Sequence, residues 1–499
     1  MADNDARCVL TLPLITEPWQ EHIIETRFRI MEHLKNQLIA MELRKLRNLR
    51  RTREYRALEE DIANTPKGSR GELRRKRRKI LRDAGFSEYD FKDDMAGTNS
   101  KMQKHFAEHI AAQIAHKAAS DVWRAFDKCL FGSGKGIRFH AHNTLSSVAC
   151  QEIGNGMSYV NGKFVWKGGR CENSICLSVP VKPPDTVYEC EMLKKQVKSL
   201  RIVRKWMKSK YKYYLQFTLT GEPIKKTREV GFGNVGIDIG VQTVAIVSSS
   251  SVFLLELADK INANHSRKKQ LQQKMDRSKR YSNPSNYDKN GVIIRSPSGQ
   301  RLRWEFSKKY RKYAGIVRNL ERKNADIRKY QHTCLANAVL PLGNRVFVET
   351  MNFSAHQNRA KETKKDSNGR FLKKKRFGKS LANKAPAMFI SILKYKLALY
   401  GGNLFEVDRY TFKASQYDHT TGECTKHSLS ERWRTLGNGD IVQRDLYSAF
   451  LLMNSNTSLS SCDATACAHT YTDFKTLSDY EIHRIKSEGI RLISSFGIA

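Results

Sequence analysis

Residues 235–249, VGIDIGVQTVAIVSS, read as two buried strands joined by a glycine turn. Asp238 sits inside the first of them, between Ile237 and Ile239, with Gly236 and Gly240 on either side. Downstream, a charged helical stretch runs from about 262 to 340, interrupted by the loop SNPSNYDKNGVIIRSPSGQ at 282–300. A strand, RVFVET at 345–350, follows, and then a basic loop from Arg359 to Lys384 with eleven Lys and Arg against two acids. The segment APAMFISILKYKLALYGG at 385–402 reads as a helix closed by Gly401-Gly402, ahead of the strand NLFEVDRY at 403–410. A last helix over about 442–453 leads into a polar segment, 455–499. Strand and helix alternate throughout this half, which makes it an α/β domain.

The other half has a different texture. A strand-like run at 9–14 is broken by Pro13 and Pro18. From about Gln20 the period becomes helical, and Ile24, Phe28, Met31, Leu34 and Leu38 fall on one face. Basic residues cluster from Arg44 to Arg53 and again in GELRRKRRKILR at 71–82, where Arg74, Arg75, Lys76, Arg77, Arg78 and Lys79 are consecutive cations. Such a run has a plain reading as a solvated helix face; six cations without an acidic neighbour repel one another unless phosphates lie nearby. A second amphipathic helix spans about 101–130, with Ile110, Ile114, Val122 and Phe126 on its apolar side. FGSGKG at 131–136 lacks the four residues between glycines and the Ser or Thr after the Lys that a phosphate loop needs, so ATP binding is rejected. Short strands then follow, among them MSYVNGKFVW at 157–166, whose Asn161-Gly162 is a hairpin signal. Tyr211, Tyr213, Leu215, Phe217 and Leu219 alternate cleanly. A small antiparallel barrel is expected, joined by the strand at 9–14 and interrupted by the helical domain.

The 499 residues carry 89 Lys and Arg against 50 Asp and Glu, a formal net charge of +39. With 40% apolar and 9% aromatic residues, the charge decorates a folded chain and not a disordered one. No run of about 20 uncharged apolar residues is present, so a membrane span is not expected. The start, MADNDARCVLTLPL, lacks the basic-then-apolar order of a signal peptide. Ten scattered Cys suit a reducing compartment better than a disulfide framework. A cationic surplus of this size points to a polyanionic partner, with nucleic acid first.

Three acids stand out by their settings: Asp238 within a buried strand, Glu349 at the end of the apolar run 346–348, and Asp445 at the start of the largely apolar helix QRDLYSAFLL, 443–452. Each alone has a plainer reading. Asp238 suits a turn cap, Glu349 a partner for Lys or Arg, and Asp445 a helix N-terminal acid favoured by the dipole. Together, in so basic a chain, they favour a carboxylate cluster that binds Mg²⁺, two ions about 4 Å apart activating water and stabilising the leaving oxygen in phosphodiester hydrolysis.

At these residues the chain resembles a known family. GIDIGVQTVAIV at 236–247, VFVETMNF at 346–353 and QRDLYSAFLL resemble, in order and spacing, the three RuvC motifs of the TnpB family. These are transposon-encoded RNA-guided DNA endonucleases, and the compact type V CRISPR effectors are their descendants. KRFGKSLANKAPAMFISIL at 375–393 also looks like the family's stretch after its second motif. The third motif departs from the family, since Tyr447 stands where Asn is common.

The resemblance implies a multidomain α/β protein. An RNase H-like RuvC nuclease domain would accompany a small antiparallel β-barrel, the wedge, interrupted by an α-helical recognition domain. It divides the chain into a first wedge strand (1–20), the helical domain (21–130), the wedge barrel (131–230), the nuclease domain with its first two motifs (231–410), a degenerate zinc-ribbon insert (411–440), the third motif (441–454) and a C-terminal tail (455–499). It makes Asp238, Glu349 and Asp445 the catalytic residues and the ligands of two Mg²⁺ ions. Guide RNA would be a second cofactor and double-stranded target DNA the substrate, with a short adjacent motif read by the protein. A monomer without membrane association is expected, in the prokaryotic cytoplasm at the nucleoid. The basic run 74–79 and Lys373, Lys374, Lys375 and Arg376 would contact nucleic acid, and Trp123, Tyr211 and Tyr213 are candidates for base stacking.

The family's four-cysteine zinc ribbon is not matched. After Ser415-Gln416 only His419, Cys424 and His427 are candidate ligands, with no paired C-x-x-C, so no zinc is expected there. Cys462, Cys467 and His469 are a remote alternative source. Three other readings stay open: an RNA-guided binder that does not cut, a plain nucleic-acid-binding or RNA-packaging protein with no use for three buried acids, and a strand transferase, for which no distinct Tyr or Ser nucleophile signature is present.

Overall fold

The computed structural model describes residues 6–132, 134, 136–225, 227–289, 291–294, 302–357, 377–428, 431–490 and 496–498. The chain divides into two compact units, Met1–Ile224 and Lys225–Ala499.

The first unit contains β1 (Arg7–Pro13), α1 (Pro18–Leu49), α2 (Arg53–Asn64), α3 (Gly71–Asp83), α4 (Glu88–Ala96), α5 (Ala112–Phe131), β2 (Ser147–Ala149), β3 (Met157–Val160), β4 (Lys163–Lys167), β5 (Cys176–Pro180), α6 (Val187–Leu193), β6 (Val197–Met207) and β7 (Lys210–Thr220). Pro18 opens α1, and Glu17 and Gln20 form a reciprocal capping box there. The face read from spacing, Ile24 to Leu38, is buried. Arg27 is buried on the same helix, donating to the carbonyls of Trp166 (2.6 Å) and Ile175 (2.7 Å). Asn161 and Gly162, both at positive φ, make the tight turn between β3 and β4.

The strands form a four-stranded antiparallel sheet, β1-β7-β6-β2, and a three-stranded one, β3-β4-β5. A Leu14–Val181 bridge and the Ile15 N–H on the Pro180 carbonyl (2.8 Å) stitch the end of β1 to the end of β5. The expected barrel is therefore corrected: among the described residues β2 and β3 do not pair, and the two sheets stay open on that side. β2 is three residues long, and the chain after it turns away, its Cys150 thiol donating to the carbonyls of Glu152 and Asn155. Helices and sheets share one apolar core, in which Ile24, Phe28 and Phe126 pack with Leu10, Ile202 and Phe217.

The second unit contains β8 (Asn234–Ile239), β9 (Thr243–Ser248), β10 (Val252–Glu256), α7 (His265–Ser282), α8 (Lys308–Val339), β11 (Arg345–Glu349), α9 (Phe353–Gln357), α10 (Gly378–Lys384), α11 (Pro386–Leu399), β12 (Asn403–Val407), α12 (Arg409–Phe412), β13 (Trp433–Thr435), β14 (Ile441–Gln443), α13 (Arg444–Met453) and α14 (Ala464–Ser487). Its main sheet runs β10-β9-β8-β11-β12; β8, β9 and β10 are antiparallel, and β11 and β12 run parallel to β8. Val235, Ile237, Val346 and Val348 face α8 and α11, in a cluster with Ala336, Val339, Phe389 and Leu393. Ala245, Val247, Phe347 and Val407 face the opposite way, onto α13 and α14. Coverage on both faces is why these strands read as unbroken apolar runs.

The segment after 455 is more than a polar tail. It forms the 24-residue α14, which buries Cys467, Phe474, Ile482 and Ile485. Ser478 and Glu481 lie on the buried face too, and they dilute its apolar period. The Glu481 carboxylate accepts from the Leu254 N–H of β10 (3.2 Å) and pairs with Arg484 (2.8 Å). No helix of the described residues is long and apolar enough to cross a membrane.

Candidate active site

Register places the first two acids. β11 pairs in parallel with β8, Val348 opposite Ile237, so Glu349 and Asp238 follow as the next pair at the C-terminal ends of both strands. Side chains alternate along a strand, so Gly236 and Asp238 share one face of β8, and Phe347 and Glu349 share the same face of β11. That face is the one α13 covers.

Gly236 allows the third acid to arrive. A Cβ built on it would lie 1.8 Å from the Ala449 carbonyl oxygen and 2.4 Å from the Met453 nitrogen, so the backbone of α13 rests directly on β8. The Asn234 side chain donates to the Met453 carbonyl (3.1 Å) and fastens the far end of the helix. From Asp445 to Met453 the helix rises about 12 Å, and from Asn234 to Asp238 the strand advances about 13 Å. Asp445, Ala449 and Met453 recur every four residues on the sheet-facing side, which brings Asp445 over Asp238. The Gln443 side chain caps α13 through the Leu446 N–H (2.8 Å).

The electrostatics agree with this placement. The Asp238 carboxyl is held well above its ordinary value, first by burial and then by the charges of Asp445 and Glu349, with Arg444 opposing. Burial also raises Glu349, against the Ala414 N–H and the Arg409 guanidinium, which favour its charged form. All three acids keep some open surface. Carboxylate oxygens that repel one another are the hard donor set that Mg²⁺ takes, and the ion completes its octahedron with water. The fit is one of donor chemistry. Among the described residues no three His, Cys, Asp or Glu side chains already form a ligand cluster. Arg444 stands on Asp445 instead, with Nε and Nη2 each 3.3 Å from Oδ1.

Tyr447 lies about 200° around α13 from Asp445, and its hydroxyl binds the segment before β13. It accepts from the His419 N–H (3.0 Å) and lies 2.7 Å from His419 Nδ1. Burial pushes His419 below its ordinary value, which favours the neutral ring, and its Nδ1 shares a hydrogen bond with the hydroxyl. Tyr447→Phe is expected to cost about 1–3 kcal/mol, because it leaves a half-buried N–H and a ring nitrogen unpaired. Urea unfolding reads the effect, and an unchanged midpoint would count against it. His427 pairs with Glu431 (3.3 Å), and the exposed Cys424 bridges Tyr417. Cys462 and Cys467 are buried free thiols, and His469 is exposed.

On α3, Arg74, Arg75, Lys76, Arg78 and Lys79 are exposed. Arg77 is turned inward, bound to Glu59 (3.2 Å) and the Leu130 carbonyl (2.9 Å), where it braces α2 and α5. Lys373, Lys374, Lys375 and Arg376 lie outside the described residues. Of the three aromatic candidates, Tyr213 is buried and its hydroxyl donates to Glu25 (2.9 Å), while Trp123 and Tyr211 are half-buried, packed on Phe91 and Trp206. Sequence reading missed Arg409, at the start of the four-residue α12, and the Ala414 N–H just beyond it, both beside Glu349 and in segments too short to show a period. It also missed the purpose of Gly236, whose only signal is a glycine inside an apolar strand.

No protein-family model and no curated protein matches the chain. Among solved structures it is similar to a Cas12f1–sgRNA–target DNA complex, with 12% identity and a TM-score of 0.45, over 91% of this chain and 100% of that one. It is similar to a CRISPR-Cas12f ternary complex at 12% identity and TM-score 0.27, over 90% and 99%. It is also similar to the mini-RNA-guided endonuclease CRISPR-Cas phi3 at 10% identity and TM-score 0.39, over 90% and 92%. Each TM-score is below 0.5, and the functional reading stands on the geometry of the site.

Proposed function

We propose that this protein is an RNA-guided DNA endonuclease of the TnpB or compact type V kind, hydrolysing phosphodiesters in an RNase H-like, RuvC-type site. The observation that carries the chemistry is the convergence of Asp238, Glu349 and Asp445 on one face of the sheet, where burial and then the charges of Asp445 and Glu349 raise Asp238. The sheet order, with three antiparallel strands and two more parallel to the first, supports the RNase H-like assignment.

Asp238, Glu349 and Asp445 would hold two Mg²⁺ ions, whose chemistry there is Lewis-acid activation of water and of the scissile phosphate. The chain's own residues set the stage. Gly236 seats α13 on the sheet, Asn234 and Gln443 fix its two ends, and the Ala414 N–H holds Glu349 while the Arg409 charge favours its ionised form. Guide RNA as partner rests on the motif resemblance and on the net charge of +39, with base pairing supplying sequence specificity. Such a protein works where its DNA is, in the prokaryotic cytoplasm.

One observation favours a second reading, an RNA-guided binder that does not cut: Arg444 occupies Asp445 and no ligand cluster is ready-made among the described residues. A plasmid assay separates the two. The protein is co-expressed with its flanking non-coding RNA, reprogrammed to a target beside randomised sequence, and assayed with Mg²⁺ and with EDTA. Guide-dependent cutting only with Mg²⁺ is expected. Guide-dependent binding without cutting would establish the silent binder, and loss of both would end the guided reading.

A further inference from the structure

β12 runs parallel to β11 with Val407 directly opposite Glu349. Val407 packs with Phe347 under α13, so it shares the face that carries Glu349. The Thr350 N–H and hydroxyl both donate to the Val407 carbonyl (2.8 and 2.7 Å), which keeps the pairing to the ends of both strands. Asp408 is still extended, at φ −72° and ψ 117°. Arg409, two positions past Val407, therefore starts from the face of Glu349 and one step beyond it. In α/β domains, ligands bind at this edge, outside the carboxyl ends of the strands. The turn around Arg409 is fixed on both sides. The Asp408 carboxylate caps α12 through the Tyr410 N–H (2.8 Å), and Phe412 is buried. Lys413 takes a left-handed φ of 52°, which turns the chain so that the Ala414 N–H meets Glu349. A non-glycine residue held there is strained, and such residues gather at functional sites.

This framework does not consume the guanidinium. Its Nη2 donates to the Tyr410 hydroxyl (2.5 Å), and the group lies over the Tyr410 ring, 4.6 Å from the centroid. Among the described residues no carboxylate lies within ion-pair distance of it. Other arginines of this unit are engaged: Arg444 holds Asp445 and the Glu431 carbonyl (3.0 Å), and Arg434 the carbonyls of Tyr417 and Gln416 (3.1 and 3.3 Å). Stacking occupies a face of the Arg409 guanidinium and the hydroxyl one donor, which leaves further N–H groups of the fork for an oxyanion. The Tyr410 ring itself is 71% exposed, so the pair forms an open rim. The Arg409 charge is still felt at Glu349 across more than ion-pair distance, and that gap gives an oxyanion a place beside the carboxylates.

We propose that Arg409 is a catalytic residue, its guanidinium gripping the non-bridging oxygens of the scissile phosphate. The proposal rests on the nuclease reading. In hydrolysis the water oxygen bonds to phosphorus while the bond to the leaving sugar oxygen breaks and takes its electron pair. Water gives up a proton and the leaving oxygen gains one. Negative charge gathers on the two non-bridging oxygens in between, and a planar cation already in place favours that state over the starting diester. Tyr410 is the positioning residue, holding the guanidinium by ring and hydroxyl.

The test is single-turnover cleavage of target DNA by the full-length protein with its guide RNA, as wild type, Arg409→Ala and Arg409→Lys. The Ala variant is expected to cut about 10²–10³-fold more slowly, with target affinity and melting temperature unchanged. The Lys variant should recover part of that loss, since it keeps the charge and gives up the fork. Two readouts separate contact with the phosphate from an effect through Glu349. Mg²⁺ raised well above the wild-type requirement should leave the Ala variant slow; recovery would place Arg409 behind the metal ligand and overturn the contact. A phosphorothioate at the scissile linkage, one diastereomer at a time, should slow wild type more than the Ala variant for one isomer. Equal sensitivity in the two proteins would overturn the contact as well. The Lys variant carries the same comparison if the Ala variant loses target binding. A wild-type rate in the Ala variant would overturn the role of Arg409 and leave the nuclease reading standing. Wild type that binds its target without cutting would overturn both.

Discussion

Asp238→Asn is expected to abolish Mg²⁺-dependent cleavage, by about three orders of magnitude or more, while guide and target binding persist. The several kilocalories per mole that a bound metal supplies to a phosphodiester transition state correspond to a loss of about that size. The same substitution has an opposite effect on the metal-free fold. The Asp238 carboxyl is raised from its ordinary 3.8 by burial and by Asp445 and Glu349. In the folded state it therefore holds its proton over a pH range where the unfolded chain has lost it. In EDTA this carboxyl should then give wild type a contribution to stability that is fully present below 3.8 and is lost as pH rises through the elevated folded value. Asn carries no charge and removes that contribution, leaving a shallower slope from Glu349. Mg²⁺ should restore wild type at pH 8 and leave the variant unmoved. Thermal unfolding between pH 5 and 8, with and without metal, reads both halves. Parallel curves for the two proteins, or full cleavage by the variant, would sink the assignment of Asp238.

Gly236→Ala should damage fold and chemistry together. The added methyl would lie 1.8 Å from the Ala449 carbonyl oxygen and 2.4 Å from the Met453 nitrogen, and neither backbone atom can rotate away. The helix must lift, at an overpacking cost of about 1–3 kcal/mol or somewhat more. For a unit of this size the melting temperature should fall by roughly 5–10 °C. Asp445 rides on the lifted helix, and a displacement of about 1 Å in a catalytic group costs about 10²-fold in rate. Ala449→Gly should not rescue the variant, because the clash is with the Ala449 backbone and not its methyl. Calorimetry beside the cleavage assay checks this, and a wild-type melting temperature would refute the close approach of α13.

These two sites also show what could be read without coordinates. The strands of the second unit were legible because burial on both faces leaves unbroken apolar runs, and an acid at 238 or 349 interrupts such a run visibly. Their shared face was not legible, since it depends on the pairing of β8 with β11, residues more than a hundred positions apart. In the first unit the NG turn and the clean alternation of 211–219 marked the strands, but closure of a barrel is a long-range property, and the sheets remain open. α14 escaped because a buried serine and a buried glutamate sit within its apolar stripe. Arg77 shows the limit of charge runs: a row of six cations looks uniform in sequence, yet one of them is a structural brace.

Glu481 also bears on how copies of this chain meet one another. β10 is the outermost strand of its sheet, and a flat outer strand offers unpaired amides to any similar strand that drifts near. With α14 laid across it and a carboxylate already accepting the Leu254 amide, that template is occupied by the chain itself. The last long helix thus acts as a guard against self-association, a protection that a protein dense in positive charge needs most when polyanions draw many copies together.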